Sequence, residues 1–145
     1  MVTLDEFDFA GIRALVRVDF NVPLNDKFEI TDDTRIRAAI PTIKKIIGDG
    51  GAVVLMSHMG RPKNKPEEKY SLKHIVAHLS ELLGTGVIFA DDCLGFDAFA
   101  ITDAMAMGEV MLLENLRFYP QETKGDEEFA EQLAAHGQVY VNDAF

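Results

Sequence analysis

Along this chain the spacing of apolar positions switches repeatedly between continuous runs and a helical repeat, and each switch predicts a new element. Ala14 to Phe20 is a short β-branched run broken by Asn21-Val22-Pro23, which predicts a strand and then a loop. Ile36, Ile40, Ile43 and Ile47 follow at helical spacing. Thr31, Asp32 and Asp33 offer N-caps for that helix, and Gly48, Gly50 and Gly51 offer its stop. Pro41 falls inside the pattern and predicts a kink or a late start. Ala52 to Met56 is continuously apolar, as a strand covered on both faces requires. Ser71 is placed to cap a second helix carrying Leu72, Ile75, Val76, Leu79, Leu82 and Leu83, with Gly84 closing it.

The rhythm then repeats, with a strand over Gly86–Ala90, a weaker helix over Phe96–Met107 and a strand over Val110–Leu113. An amphipathic helix follows over Asp126–His136, with Phe129, Ala130 and Leu133 on one face, and then a strand over Gln138–Val141. Strands alternating with helices of this length predict right-handed crossovers. The fold class is therefore α/β: a three-layer, doubly wound, Rossmann-like parallel sheet with helices on both faces. The last strand has a buried composition but no helix after it, so it lies at a sheet edge or the chain is a fragment of something longer.

Composition narrows the class. A chain of 145 residues, 48% apolar and 26% charged, matches one globular domain and excludes disordered and fibrous classes. No apolar run approaches the ~20 residues of a membrane span, so no membrane partner is expected. Asp5, Glu6 and Asp8 make the N-terminus acidic where a secretory signal would be basic. The lone cysteine, Cys93, cannot form an internal disulfide, which fits a reducing, cytoplasmic setting. A net charge of −10 argues against nucleic acid as a partner and makes the placement of the few arginines informative.

Ligands of open parallel sheets bind beyond the carboxyl ends of the strands. Those ends carry Asp19-Phe20-Asn21, Ser57-His58-Met59-Gly60-Arg61-Pro62, Asp91-Asp92-Cys93, Glu114-Asn115-Leu116-Arg117-Phe118 and Asn142-Asp143, and Arg35 opens the first helix beside them. Arg35, Arg61, Arg117 and His58 thus converge on one rim of an acidic protein. Guanidinium forks bind carboxylate and phosphate oxygens bidentately, each charge-assisted bond contributing roughly 1.5–3 kcal/mol. Asp19 and Asn21 suit a hydroxyl. The implied ligand is small, anionic and hydroxylated; in the competing reading the arginines simply pair with Asp32, Glu67 or Glu114.

Other features have plainer readings. His74 and His78 have the spacing of a zinc pair, but they lie opposite the Leu72/Ile75/Leu79/Leu83 face and are expected in solvent, so no metal site is expected. Asp91-Asp92 could hold Mg²⁺, although an N-cap for the following helix accounts for the pair. Met105, Met107 and Met111 are expected as core filler, and Lys63, Lys65 and Lys69 as a solvated loop. Gly48-Asp-Gly-Gly51 ends a helix instead of starting one, and no G-x-x-x-x-G-K stretch occurs, so no nucleotide cradle is present.

Arg17-Val-Asp-Phe-Asn-Val-Pro23 resembles the signature of the phosphoglycerate kinase family. Asp33-Thr-Arg-Ile-Arg-Ala-Ala-Ile-Pro-Thr42, Ser57-His-Met-Gly-Arg-Pro62, Leu113-Glu-Asn-Leu-Arg-Phe118 and Val141-Asn-Asp-Ala-Phe145 resemble further motifs of that family, in the same order. The likeness runs from about Leu4 to Phe145. It implies a glycolytic transferase, a kinase that moves a phosphoryl group between 1,3-bisphosphoglycerate and ADP to give 3-phosphoglycerate and ATP. The family has a substrate domain and a nucleotide domain closed by a hinge. By this resemblance residues 1–145 are the 3-phosphoglycerate-binding N-terminal domain, incomplete at its C-terminal end.

The resemblance assigns Asp19 and Asn21 to the hydroxyl and carboxylate end of the substrate and His58, Arg61 and Arg117 to its 3-phosphate side, with Met59 and Gly60 in the same substrate loop and Phe20 also substrate-binding. Arg35 would be catalytic, standing near the carboxyl group that exchanges the phosphoryl, and Arg17 would join the basic patch less directly. The family continues after the last motif with a Gly-Thr-x-His-Arg stretch, a nucleotide domain and a segment that folds back. Mg-ADP or Mg-ATP would be bound by that C-terminal domain in cis and no cofactor by this chain. The chain alone is then expected to be inactive, and the full-length protein a monomer. Two rival readings stay open on the residues alone: a receiver-like signalling domain with an acidic Mg²⁺ pocket, and a non-catalytic anion-binding module.

Overall fold

A computed structural model describes residues 4–60, 67–119 and 127–143. The strands are β1 (Arg13–Arg17), β2 (Ala52–Met56), β3 (Val87–Ala90), β4 (Val110–Leu113) and β5 (Val139–Asn142). They form one sheet in the order β3-β4-β2-β1-β5 with every pairing parallel. Helices α1 (Thr34–Gly48), α2 (Val76–Leu83), α3 (Phe96–Asp103) and α4 (Glu127–Ala134) connect them. The three-layer α/β arrangement predicted from the periodicity is the one observed.

Side chains alternate between the two faces of a strand, and the core divides accordingly. Ala14, Val16, Val53, Leu55, Val110 and Leu112 pack against Ile36, Ile43 and Ile46 of α1 and Leu79 and Leu83 of α2. Leu15, Val54, Met56, Met111 and Leu113 face the other way, toward Ala98 of α3 and Phe129 and Leu133 of α4. β2 and β4 are buried along their whole length, because each lies between two strands and under helices on both sides.

Several predicted details shift. α1 runs unbroken through Pro41 from Thr34 to Gly48. The ring removes a single helical donor, at a cost of ~3 kcal/mol, and apolar packing on both sides of it outweighs that loss. The buried stripe of α1 is Ile36, Ala39, Ile43 and Ile46, with Ile40 and Ile47 at its margin. Ser71 does cap the second helical segment, its Oγ accepting from the Lys73 N–H, but the first turn is 3-10 over Leu72–Ile75 before α2 begins. Gly84 ends α2 in the left-handed conformation at φ 75°.

α3 stops at Asp103, which leaves Met107 exposed, whereas Met105 and Met111 are core residues as expected. α4 buries Phe129 and Leu133 but not Ala130; its predicted first residue, Asp126, lies outside the described residues. β5 is an edge strand of alternating exposure with Tyr140 outward. Among the described residues no helix is long and apolar enough to cross a membrane.

His74 and His78 are not simply solvated. His74 stacks on Phe28 with ring centroids 4.3 Å apart, and its Nε2 lies 2.7 Å from the Glu68 carbonyl. His78 Nε2 sits 2.8 Å from Oδ2 of Asp33, tying α2 to the start of α1. Asp92 does not cap α3, whose N-cap is Gly95; its Oδ1 accepts from the N–H groups of Cys93 and Leu94, closing the preceding turn.

Candidate functional site

β1, β2 and β4 deliver their carboxyl ends to one rim. The chain leaves β1 through Val18 and turns at Asp19, whose Oδ1 accepts from the Asn21 N–H at 3.1 Å. Ser57, the first residue after β2, holds that turn from beside it. Its Oγ accepts from the Phe20 N–H at 2.9 Å and donates to the His58 carbonyl at 2.9 Å. Asn21 reaches back across the gap, its Oδ1 accepting from the Gly60 N–H at 2.9 Å. The exits of β1 and β2 are thereby locked together.

Arg35 comes from the first turn of α1. Its guanidinium donates to the Asn21 carbonyl at 2.8 Å and makes a long ion pair with Asp19 at 3.5 Å. The Arg35 side chain is 52% exposed, so most of its donor capacity is open to a ligand, and a pair at this separation and exposure is weak. The alternative partner Asp32 is engaged elsewhere, accepting from Thr34 Oγ1 and N–H; those bonds hold its carboxyl below the usual range. Glu114 is likewise occupied, by the Ser71 hydroxyl and the Leu72 and Asn115 N–H groups. Among the described residues, neither carboxylate is hydrogen-bonded to Arg35 or Arg117.

Arg117 follows β4 in a 3-10 turn over Leu116–Phe118 that Asn115 caps through the Arg117 N–H. Its Nε is buried and has no hydrogen-bond partner among the described residues. A buried donor left unsatisfied costs ~1–3 kcal/mol, and an incoming oxygen would remove that cost. His58 is half-buried just past the end of β2.

The structure brings together Asp19, Asn21, Arg35, His58, Gly60 and Arg117 from the predicted set. Arg61 falls outside the described residues, as do Pro62, Lys63 and Lys65. Phe20 and Met59 have their side chains packed in the core. Phe20 spends its N–H on Ser57, and Met59 has its N–H and carbonyl bonded by Asn115, so these residues shape the loops from behind.

A cleft of about 870 Å³ adjoins this rim, lined on one side by Asn21, Arg35, Met59 and Gly60 and on the other by Phe28 and Tyr70. Lys69, expected in solvent, also lines it, its Nζ 4.9 Å from the centre of the Tyr70 ring. Tyr70 packs directly over Gly60, which has φ +62° and where a Cβ would come within 2.3 Å of the ring. Sequence reasoning placed Ser57 and Asn115 at the rim without giving them roles, and missed Tyr70 altogether. Its signal was absent because Tyr70 reaches the site from a 3-10 turn over Glu68–Tyr70, well past the residues that directly leave β2.

Asp33 is held below the usual carboxylate range by its bonds to His78 and then Arg37. Burial pushes the Asp143 carboxyl up at the end of β5, against a bond from Thr42. Among the described residues no group of three His, Cys, Asp or Glu is placed to hold a metal ion, so an acidic receiver-type pocket is not assembled from them.

Comparison with known proteins follows the same lines. A family model described as "Phosphoglycerate kinase" matches residues 4–145. The phosphoglycerate kinase of Porphyromonas gingivalis is 49% identical over 167 residues, spanning 99% of this chain and 40% of that protein. That of Chlorobium phaeovibrioides is 55% identical over 143 residues, spanning 99% of this chain and 36% of that protein. The crystal structure of phosphoglycerate kinase from Pyrococcus horikoshii superposes with a TM-score of 0.85 at 34% identity, over 99% of this chain and 36% of the other. The structure from Coxiella burnetii gives 0.83 at 33% identity, over 95% of this chain and 34% of the other. The chain thus spans well under half the length of the curated relatives it matches.

Proposed function

The chain belongs to the phosphoglycerate kinase family, and from that premise we propose that it supplies the phosphoglycerate-binding part of an enzyme passing a phosphoryl group between 1,3-bisphosphoglycerate and ADP. The observation that supports the reading is the set of bonds Arg35–Asn21–Gly60 and Met59–Asn115–Arg117, which ties the Arg35 guanidinium and the backbone carrying Arg117 to the same two loops. Residues 1–145 then form the substrate domain, and Mg-ADP or Mg-ATP enters as second substrate on a domain in cis beyond the stretch matched here.

In this reading Asp19 and Asn21 engage the hydroxyl and carboxylate end, while His58, Arg61 and Arg117 engage the 3-phosphate. The Gly60 N–H stays with Asn21 and keeps that acceptor aimed. Arg35, exposed and loosely paired, swings to the oxygens of the transferring group. Phosphoryl transfer draws its rate from positioning and from charge stabilisation in the transition state. Cations without a nucleophile suit that chemistry. A monomeric, cytoplasmic protein belongs to the same proposal, supported by the one cysteine of the sequence, Cys93, being buried.

Titration of 3-phosphoglycerate into the chain, followed by backbone amide NMR, tests the reading. Saturable shifts centred on Asn21, Gly60 and Arg117 are expected, with no turnover of 1,3-bisphosphoglycerate and Mg-ADP by the chain alone. No saturable binding, or an equal response to inorganic phosphate and to 3-phosphoglycerate, would overturn it.

A further inference from the structure

Asn115 is fully buried at the end of β4, and every partner of its side chain is a backbone group of the rim. Oδ1 accepts from the Met59 N–H at 3.1 Å and the Arg117 N–H at 2.9 Å. Nδ2 donates to the Met59 carbonyl at 2.7 Å and the Tyr70 carbonyl at 2.9 Å. Two donors meet two carbonyls and the acceptor meets two N–H groups, so the amide orientation is set by its partners. A side chain so fully used is a joint between three segments: the β2 exit, the stretch ending in Tyr70, and the turn carrying Arg117.

We propose that Asn115 is the positioning residue of this anion site, setting affinity for a phosphorylated hydroxy acid by holding His58, Gly60 and Arg117 in one geometry. The inference rests on the phosphoglycerate reading above. Both peptide groups of Met59 are fixed by one side chain, so its neighbours His58 and Gly60 cannot move independently. Gly60 passes the constraint on to Asn21 through its N–H. The Tyr70 carbonyl anchors the ring that covers Gly60. Glu114, the preceding residue, fastens the same stretch one step on, through Ser71 and Leu72. Asn115 itself touches no ligand; displacements on the order of 1 Å in such sites cost about 10²-fold.

The test uses 3-phosphoglycerate as probe and Asn115→Asp, which keeps the size and both acceptor contacts but sets an oxygen against two carbonyl oxygens. Leu133→Ala, in the core on the far side of the sheet, serves as the stability control. Dissociation constants are compared under conditions where both variants are folded by circular dichroism. N115D is expected to bind at least about tenfold more weakly than L133A. Its deficit relative to wild type should shrink as pH is lowered from about 8 to about 5.5, because protonation of the new carboxyl restores one donor. Losses equal to those of L133A, or a deficit independent of pH, would overturn the proposal with the site reading intact. Failure of the wild-type chain to bind overturns the site reading, and this inference with it. Should N115D not fold, Asn115→Ser, too short to reach both carbonyls, is expected to show the same excess loss over L133A, and equality with L133A again refutes the role.

Discussion

The backbone N–H of Gly60 donates to Oδ1 of Asn21 at 2.9 Å, joining residues 39 positions apart. Asn21 ends the turn after β1 and Gly60 the turn after β2, so this bond sets the spacing of two loops that neighbouring parallel strands deliver to one rim. Gly60 can make it because φ of +62° is open to glycine, and because nothing but hydrogen lies between its Cα and the Tyr70 ring.

Gly60→Ala should therefore destabilise the chain by about 1–2 kcal/mol from the left-handed backbone alone, with more from displacing Tyr70. Tyr70→Ala in the same chain removes the steric part and leaves the backbone part. Urea denaturation of the two single variants and the double variant is expected to show a double loss smaller than the sum. Strict additivity would mean that the ring and the glycine are not in contact.

Arg35→Ala, in a phosphoglycerate kinase carrying this sequence as its N-terminal part, is expected to lower kcat by roughly 10²–10³-fold, the scale of losing one transition-state donor. KM for the phosphoglycerate should change less than tenfold, because the ground-state contacts of Arg35 are few and exposed. Steady-state kinetics decide this, and equal changes in kcat and KM would make Arg35 a binding residue only.

His136 gives the fold an acid-sensitive joint. Its ring is buried against Phe99 at 4.1 Å, with Nδ1 2.7 Å from Thr102 Oγ1 and Nε2 2.5 Å from the Cys93 carbonyl. Burial keeps its pKa below the ordinary 6.5 of histidine, and the nearby Arg13 acts in the same direction. The unfolded chain therefore binds a proton there at a pH where the folded one does not, and stability falls as pH drops below about 6.5. In denaturant melts between about pH 7.5 and pH 5, His136→Gln should be less stable than wild type at the top of the range and show a shallower decline. An unchanged slope would place the acid sensitivity elsewhere.

Asp33 acts in a lower window. His78 and Arg37 hold its carboxyl below the ordinary value of 3.8, so its contribution is complete above that value and is lost as pH falls through the lowered pKa. Asp33→Asn should lower Tm at neutral pH, with the gap to wild type closing below about pH 3.8. A gap that persists at pH 2 would show that a contact of the carboxyl group independent of its charge is what was lost.

Periodicity alone was enough for the class of fold. Short continuous apolar runs at Ala52–Met56 and Val110–Leu113, bounded by turn residues, have the signature of strands covered on both sides, and helical repeats between strands point to parallel crossovers. Strand order was not legible, because β4 inserts between β2 and β3 through contacts that depend on which runs pair. The rim was legible to the extent that candidate polar residues follow strand ends: the turns carrying Asp19, Asn21, Gly60 and Arg117 are tied together there, with Arg35 beside them. Which of their neighbours support the site was decided by packing. Phe20 and Met59 each sit in a loop beside polar residues yet turn into the core, and Tyr70 arrives from a 3-10 turn well past the end of β2. Asn115 binds Met59 across 56 positions and Tyr70 across 45. Local sequence carries the residue types and their order along the chain. Only the assembled sheet brings those distant backbone groups within hydrogen-bond reach, because such bonds act over about 3 Å.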